Sequence, residues 1–156
     1  MALKEEILKD LTEAVKSKEE LKSSVLRMLS AAILNKEKEK RYKLGEEKDV
    51  RLADEEIADV ISSEAKKRRE AAIEYEKAGR SEMAEKEKQE TEILKKYLPE
   101  QLSEEEVRGL VKEAIEKTGA AGQKDMGKVM AALMPKVKGR ADGALVSQLV
   151  KDLLTS

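Results

Sequence analysis

Helices alone are expected to build this protein. Two observations point that way: apolar residues recur at three- and four-residue spacing along nearly the whole chain, and the 156 residues are rich in Ala, Glu, Lys and Leu with only two Pro. A third is negative, since no run of β-branched or aromatic residues alternates with polar ones. The fold class is therefore all-α: an N-terminal helical region with a long antiparallel hairpin, followed by a small C-terminal three-helix module.

Leu3, Ile7, Leu8, Leu11 and Val15 define the inner face of a first helix. Leu21, Val25, Leu26, Met28, Leu29, Ala32 and Ile33 define a second, which then runs through Lys36-Glu37-Lys38-Glu39-Lys40-Arg41 into solvent and stops before Gly45. A third helix starts at Asp54-Glu55-Glu56, whose acids suit a helix N-terminus. It presents Ile57, Val60, Ile61, Ala65, Ala72 and Tyr75 on one stripe and ends at Gly79. The fourth spans Ser81 to Leu98. Between Glu82 and Glu92 its only apolar residues are Met83 and Ala84, so its second half, with Ile93, Leu94, Tyr97 and Leu98, must anchor it. Helices three and four thus form a long antiparallel hairpin with a solvated, mobile tip.

Pro99 ends that helix and places a linker at 99–102, between an N-terminal domain at 1–98 and a C-terminal domain at 103–156. Ser103-Glu104-Glu105-Glu106 is a capping box for a fifth helix carrying Val107, Leu110, Val111, Ala114 and Ile115, which ends at Thr118-Gly119. A short helix from about Asp125 to Met134 should be stopped by Pro135. Lys136 to Gly139 then make a basic turn, and Asp142 caps a last helix bearing Leu145, Val146, Leu149, Val150, Leu153 and Leu154. Met126, Met130 and Met134 recur every fourth residue beside Val129 and Leu133, a spacing that reads as core.

Several chemistries are excluded by composition. The chain has no Cys, His, Trp or Phe, so it can build no Cys/His zinc site, no Cys-His or Ser-His-Asp nucleophile and no imidazole base. A nucleotide cradle is missing too: Gly119 and Gly122 follow no strand, and Lys124 is followed by Asp125. No cofactor and no metal are expected, and no catalytic residue stands out among 33 acidic side chains. Zero Cys, an acidic N-terminus and no apolar run near 20 residues point to a cytoplasmic protein with no membrane partner.

The net charge is −1, so any polyanion must be held locally. Residues 121–156 hold six bases against three acids, whereas the rest of the chain is acidic on balance. Within that stretch Lys136-Val137-Lys138-Gly139-Arg140 has no interleaved acid and precedes a helix N-terminus, where free N–H groups favour anions. Lys124, Lys128, Lys136, Lys138 and Arg140 are accordingly the candidate nucleic-acid-binding residues, opposed by the reading that they only solubilise a turn. Without an aromatic in this module, binding would follow backbone shape rather than base identity. Lys66-Lys67-Arg68-Arg69 is a weaker candidate, because four consecutive positions spread around a helix and Glu64 and Glu70 flank them.

The stretch from Lys124 to Gly143, with Lys124-Asp125-Met126-Gly127-Lys128 and Leu133-Met134-Pro135-Lys136-Val137-Lys138-Gly139-Arg140-Ala141-Asp142, resembles the GatB/YqeY domain. Leu26-Arg27-Met28-Leu29, Glu76-Lys77-Ala78-Gly79-Arg80 and Tyr97-Leu98-Pro99-Glu100-Gln101-Leu102 extend the resemblance to free-standing YqeY-like proteins over essentially the whole chain. One departure is Ala53, where relatives usually place Ser or Thr. The resemblance implies an N-terminal helical region and a three-helix module similar to the tail of the B subunit of the glutamyl/aspartyl-tRNA amidotransferase, a tail associated with holding tRNA. It also brings the label of a carbon-nitrogen ligase using glutamine as amido-N-donor, for which these residues offer neither nucleophile nor nucleotide site. The expected function is a non-catalytic tRNA-associated binding protein, an accessory to tRNA-dependent amidotransfer. The alternative is a protein-interaction module acting through the charged 54–98 hairpin.

Overall fold

Two helices joined by three residues open the chain, α1 (Leu3–Lys16) and α2 (Glu20–Leu44). The computed structural model describes residues 2–45 and 50–155. Among these residues the protein is all-helical, continuing with α3 (Asp54–Lys77), α4 (Ser81–Lys95), α5 (Glu104–Thr118), α6 (Met126–Val137) and α7 (Gly143–Thr155), with one 3₁₀ turn at Gln123–Asp125. The chain folds into two compact units, Met1–Leu98 and Pro99–Ser156, each with its own hydrophobic core.

In the first unit α2 supplies the centre, with Val25, Leu26, Leu29 and Ile33 all buried against Ile7, Ile57, Ile61, Ala65 and Leu94. On α1, Leu3, Ile7 and Leu11 pack on the core as expected, but Leu8 and Val15 do not. Ile7, Asp10 and Ala14 are buried, while Leu8 and Val15 are 45% and 46% exposed. Both sets repeat every seven residues and lie one residue, or about 100°, apart on the helix. Hydrophobicity alone favours the Leu8 stripe, but Asp10 can turn inward because Tyr97 and Lys96 are there to bond it, at 2.5 and 2.9 Å. Met28 is likewise 54% exposed rather than core.

The turn after α1 has a strained residue. The N–H of Lys18 bonds the carbonyl of Val15 and that of Glu19 bonds Ala14, a Schellman arrangement that puts Lys18 at φ 59. Elsewhere this left-handed position is held by Gly79 and Gly119, which close α3 and α5 with the same bond pattern. A side chain in this region costs about 1 kcal/mol or more, and Lys18 is exposed, so nothing offsets it. Lys18→Gly should therefore raise stability by about 1 kcal/mol, measured as a higher urea midpoint; an unchanged or lower midpoint would contradict this account.

Helices α3 and α4 pair through small residues, with Ala72 and Ala84 buried, and through polar groups that most cores exclude: Arg68, Glu90 and Thr91. The side chain of Met83, by contrast, is 42% exposed. α4 ends at Lys95, short of the expected Leu98, and the N–H groups of Tyr97 and Leu98 tighten to carbonyls three residues back. At the start of α3 half of a capping box forms: Glu56 accepts from the Ala53 N–H at 3.1 Å, but the Ala53 side chain has no oxygen to return the bond.

The second unit packs α5, α6 and α7 around Val107, Val111, Val129, Leu133, Val137, Val146 and Val150. Ser103 and Glu106 form the full capping box on α5, at 3.1 and 2.9 Å. Asp142 caps α7 by accepting from the Ala144 N–H.

Candidate nucleic-acid interface

The expected stop at Pro135 does not occur. α6 runs through the proline to Val137, with the Lys138 N–H bonding the Met134 carbonyl at 3.0 Å. A proline costs a helix one N–H and crowds the carbonyl four residues back, yet here Val137 is 2% exposed and continues the Val129–Leu133 stripe. Burial of that valine holds the last turn in place. Lys136 is therefore helical, near the negative end of the helix dipole, rather than part of a free turn.

A tight type II turn follows. Lys138 has φ −58 and ψ 123, Gly139 has φ 73, and the Arg140 N–H closes onto the Val137 carbonyl at 2.9 Å. Residues 99–102, expected as a linker, are hydrogen-bonded to this turn within the second unit. The Leu102 N–H donates to the Arg140 carbonyl at 2.8 Å, and Gln101 Nε2 donates to the carbonyls of Pro99 and Gly139, both at 2.8 Å. Arg140 returns bonds from Nε to the Glu100 carbonyl and from Nη1 to the Lys136 carbonyl. Its guanidinium thus ties the turn together and covers the end of α6.

The five candidate cations are consequently distributed along α6. Lys124 lies in the 3₁₀ turn, Lys128 in the first turn of α6, Lys136 in its last, Lys138 just beyond, and half-buried Arg140 behind the turn. Lys128 and Lys136 fall two turns apart, about 12 Å along the axis, with exposed Gly127, Ala131, Ala132 and Pro135 on the same outer face. Among the described helices α6 alone contains no Asp or Glu. The acids beside it are engaged. Asp125 accepts from the Ala121 N–H at 2.9 Å, and that bond holds its carboxyl below the usual range. Glu113 accepts from Lys117 at 2.8 Å and lies 3.5 Å from Lys136; the Lys117 bond is the main cause of its lowered pKa.

Lys66–Arg69 forms no comparable face. Lys66 and Lys67 point outward, Lys67 lies 3.4 Å from Glu64, and Arg68 is buried between Glu64 and Glu90. The burial of Arg68 had a faint sequence signal, in that it falls on the Ile57–Ile61–Ala65–Ala72 stripe.

The chain matches the YqeY-like protein family over residues 4–154. It belongs to that family. Among curated proteins it is similar to one of Pyrenophora tritici-repentis (strain Pt-1C-BFP), described as altered inheritance of mitochondria protein 41, mitochondrial. The two are 28% identical over 148 residues, covering 93% of this chain and 77% of that protein. Among the described residues of this YqeY-like chain, no helix is long and apolar enough to cross a membrane, and no three His, Cys, Asp or Glu side chains are grouped to hold a metal ion.

Proposed function

We propose that this YqeY-like protein binds tRNA without catalysis, through the outer face of α6, as an accessory to tRNA-dependent amidotransfer. The observation that carries the reading is the acid-free α6 face, where Lys124, Lys128 and Lys136 flank small residues that let a phosphate backbone approach closely. Arg140 positions the adjoining turn and is not counted among the phosphate-binding cations. The alternative, a protein partner on the hairpin, is favoured by Ile73, which is 51% exposed beside a 290 Å³ groove between α3 and α4.

The test is a titration of fluorescently labelled tRNA at several salt concentrations. With about three to five phosphates engaged, log K should fall against log salt with a slope of about −2 to −4. Replacing Lys124, Lys128 and Lys136 together by Ala should lower affinity about tenfold or more and flatten the slope by about 2 to 3. These side chains are exposed and Arg140 stays in place, so helicity should not change. A triple variant that binds like its parent would transfer the functional role to the hairpin.

A further inference from the structure

We propose that the C-terminal end of α2, in the first unit, is a binding site for single-stranded nucleic acid, with Lys38 and Arg51 holding phosphates and Tyr42 stacking on a base. The inference rests on the polynucleotide reading above and adds a second surface.

A cleft of about 270 Å³ gathers four cations from three separate segments: Lys4 from α1, Lys38 and Arg41 from α2, and Arg51 from the stretch before α3. Leu34 and Val50 line the rest, and Glu37 is the one acid among the described lining residues. Glu37 is 7% exposed, and its Oε1 accepts from Lys4 Nζ at 2.5 Å, so its charge is already matched inside the protein. Lys38 and Arg51 are exposed and form no ion pair with a described carboxylate. Four helical lysines of this unit, Lys36, Lys67, Lys77 and Lys95, by contrast each pair with a Glu three residues away.

The second observation is Tyr42. It is one of three aromatic residues in the chain and is 89% exposed, whereas Tyr97 is buried and Tyr75 half-buried. A ring so exposed contributes almost nothing to the core. It lies one turn beyond Lys38 on the same face of α2 and beside Arg41. Cations tracking a backbone next to an open aromatic face are the combination that holds single strands, where unstacked bases are available. A duplex offers no such base. The α6 face, which has no aromatic, lacks this capacity.

The experiment uses the full chain, a fluorescein-labelled 12-nucleotide oligouridylate and a salt series, with thermal melts to show that each variant is folded. Tyr42→Ala should weaken binding about 5- to 150-fold with an unchanged salt slope, and Tyr42→Phe should retain parental affinity, because stacking needs the ring and not the hydroxyl. Lys38→Ala with Arg51→Ala should flatten the slope by about 1.4. If both sets of variants bind like the parent while the α6 lysine variant is impaired, this site is overturned and the α6 reading stands. If oligouridylate binding needs Tyr42 but the α6 variant binds tRNA normally, the α6 reading falls and this one stands. A parent chain that binds neither RNA at low salt overturns both.

Discussion

Arg68→Ala lowers the unfolding free energy of the first unit by about 3 to 5 kcal/mol, the usual cost of removing one partner from a buried ion pair. Arg68 is 6% exposed and Glu90 is 8%. Nη1 of Arg68 bonds both a carboxylate oxygen of Glu64, at 3.0 Å, and the Glu64 carbonyl, at 3.1 Å. Nε lies 3.6 Å from Glu90 Oε2, too far for a hydrogen bond but close enough for a strong charge interaction. Burial first, and the Glu90 charge second, push the Glu87 carboxyl up, with Arg68 acting in the opposite direction. One guanidinium thus compensates a group of carboxylates between α3 and α4.

Without that guanidinium, the Glu87 carboxyl, already raised by burial and the Glu90 charge, loses the Arg68 attraction that lowers it, so its folded-state pKa rises further above the unfolded one. A carboxyl shifted that way makes the native state bind more protons than the unfolded state. The deficit of Arg68→Ala should therefore shrink as pH is lowered from 7.5 towards 5. A double variant, Arg68→Met with Glu90→Gln, should recover much of the loss, because apolar or neutral groups of similar volume carry no comparable desolvation penalty. Urea denaturation followed by circular dichroism measures all three. A deficit below about 1 kcal/mol, or one equal at both pH values, would show that the pair is solvated rather than buried.

Asp10→Asn should cost about 2 to 3 kcal/mol near neutral pH, from loss of charge-assisted hydrogen bonds in a buried setting. Asp10 Oδ2 accepts from the Tyr97 hydroxyl at 2.5 Å and from Lys96 Nζ at 2.9 Å. The Tyr97 bond, ahead of opposing burial and the added Lys96 contacts, holds the Asp10 carboxyl below its ordinary range. Burial first, and then the bond to Asp10, push the Tyr97 phenol well above its own. The bond to Asp10 also raises Lys96.

These shifts act at opposite ends of the pH scale. A carboxyl depressed by folding contributes stability above its unfolded pKa, near 3.8, and loses that contribution as pH falls through the acid range. A phenol and an ammonium raised by folding contribute fully below their unfolded values, near 10 and 10.5, and lose that contribution as pH rises beyond them. The parent should thus be most stable between about pH 5 and 9 and weaken on both sides. Asp10→Asn removes the Asp10 share of the acid limb and reduces the alkaline one. Denaturation midpoints from pH 3 to 11 would show it, and a variant curve running parallel to the parent's at both ends would defeat the account.

Most of the helix pattern was legible because it depends on neighbours in sequence. Ser103 with Glu106, the glycines after α3 and α5, and the Val129–Leu133 spacing all act within one or two turns, and all three recur in the structure. The errors arose where a distant partner decided a local conflict. Pro135 breaks helices by local rules, yet Val137 packs into the core and carries α6 past it. Leu8 and Val15 outrank Asp10 on any hydrophobicity scale, yet Tyr97 and Lys96, over eighty residues away, make the Asp10 face the buried one.

The candidate site divides in the same way. The absence of Cys and His and the local excess of bases after residue 121 are properties of composition, readable before any fold is known. Which cations share a surface is not. Lys4, Lys38 and Arg51 are separated by one to four dozen residues and meet only because α1, α2 and the start of α3 pack around one core. Arg68 and Arg140 read as two more surface bases until packing buries the first among carboxylates and turns the second onto backbone carbonyls. Helix formation needs only contacts three or four residues apart, so most of the helices, their caps and the chemistry they lack follow directly from the order of residues. Burial and charge pairing depend on groups that folding brings together, so packing chose which polar residues went inside and which cations were left exposed.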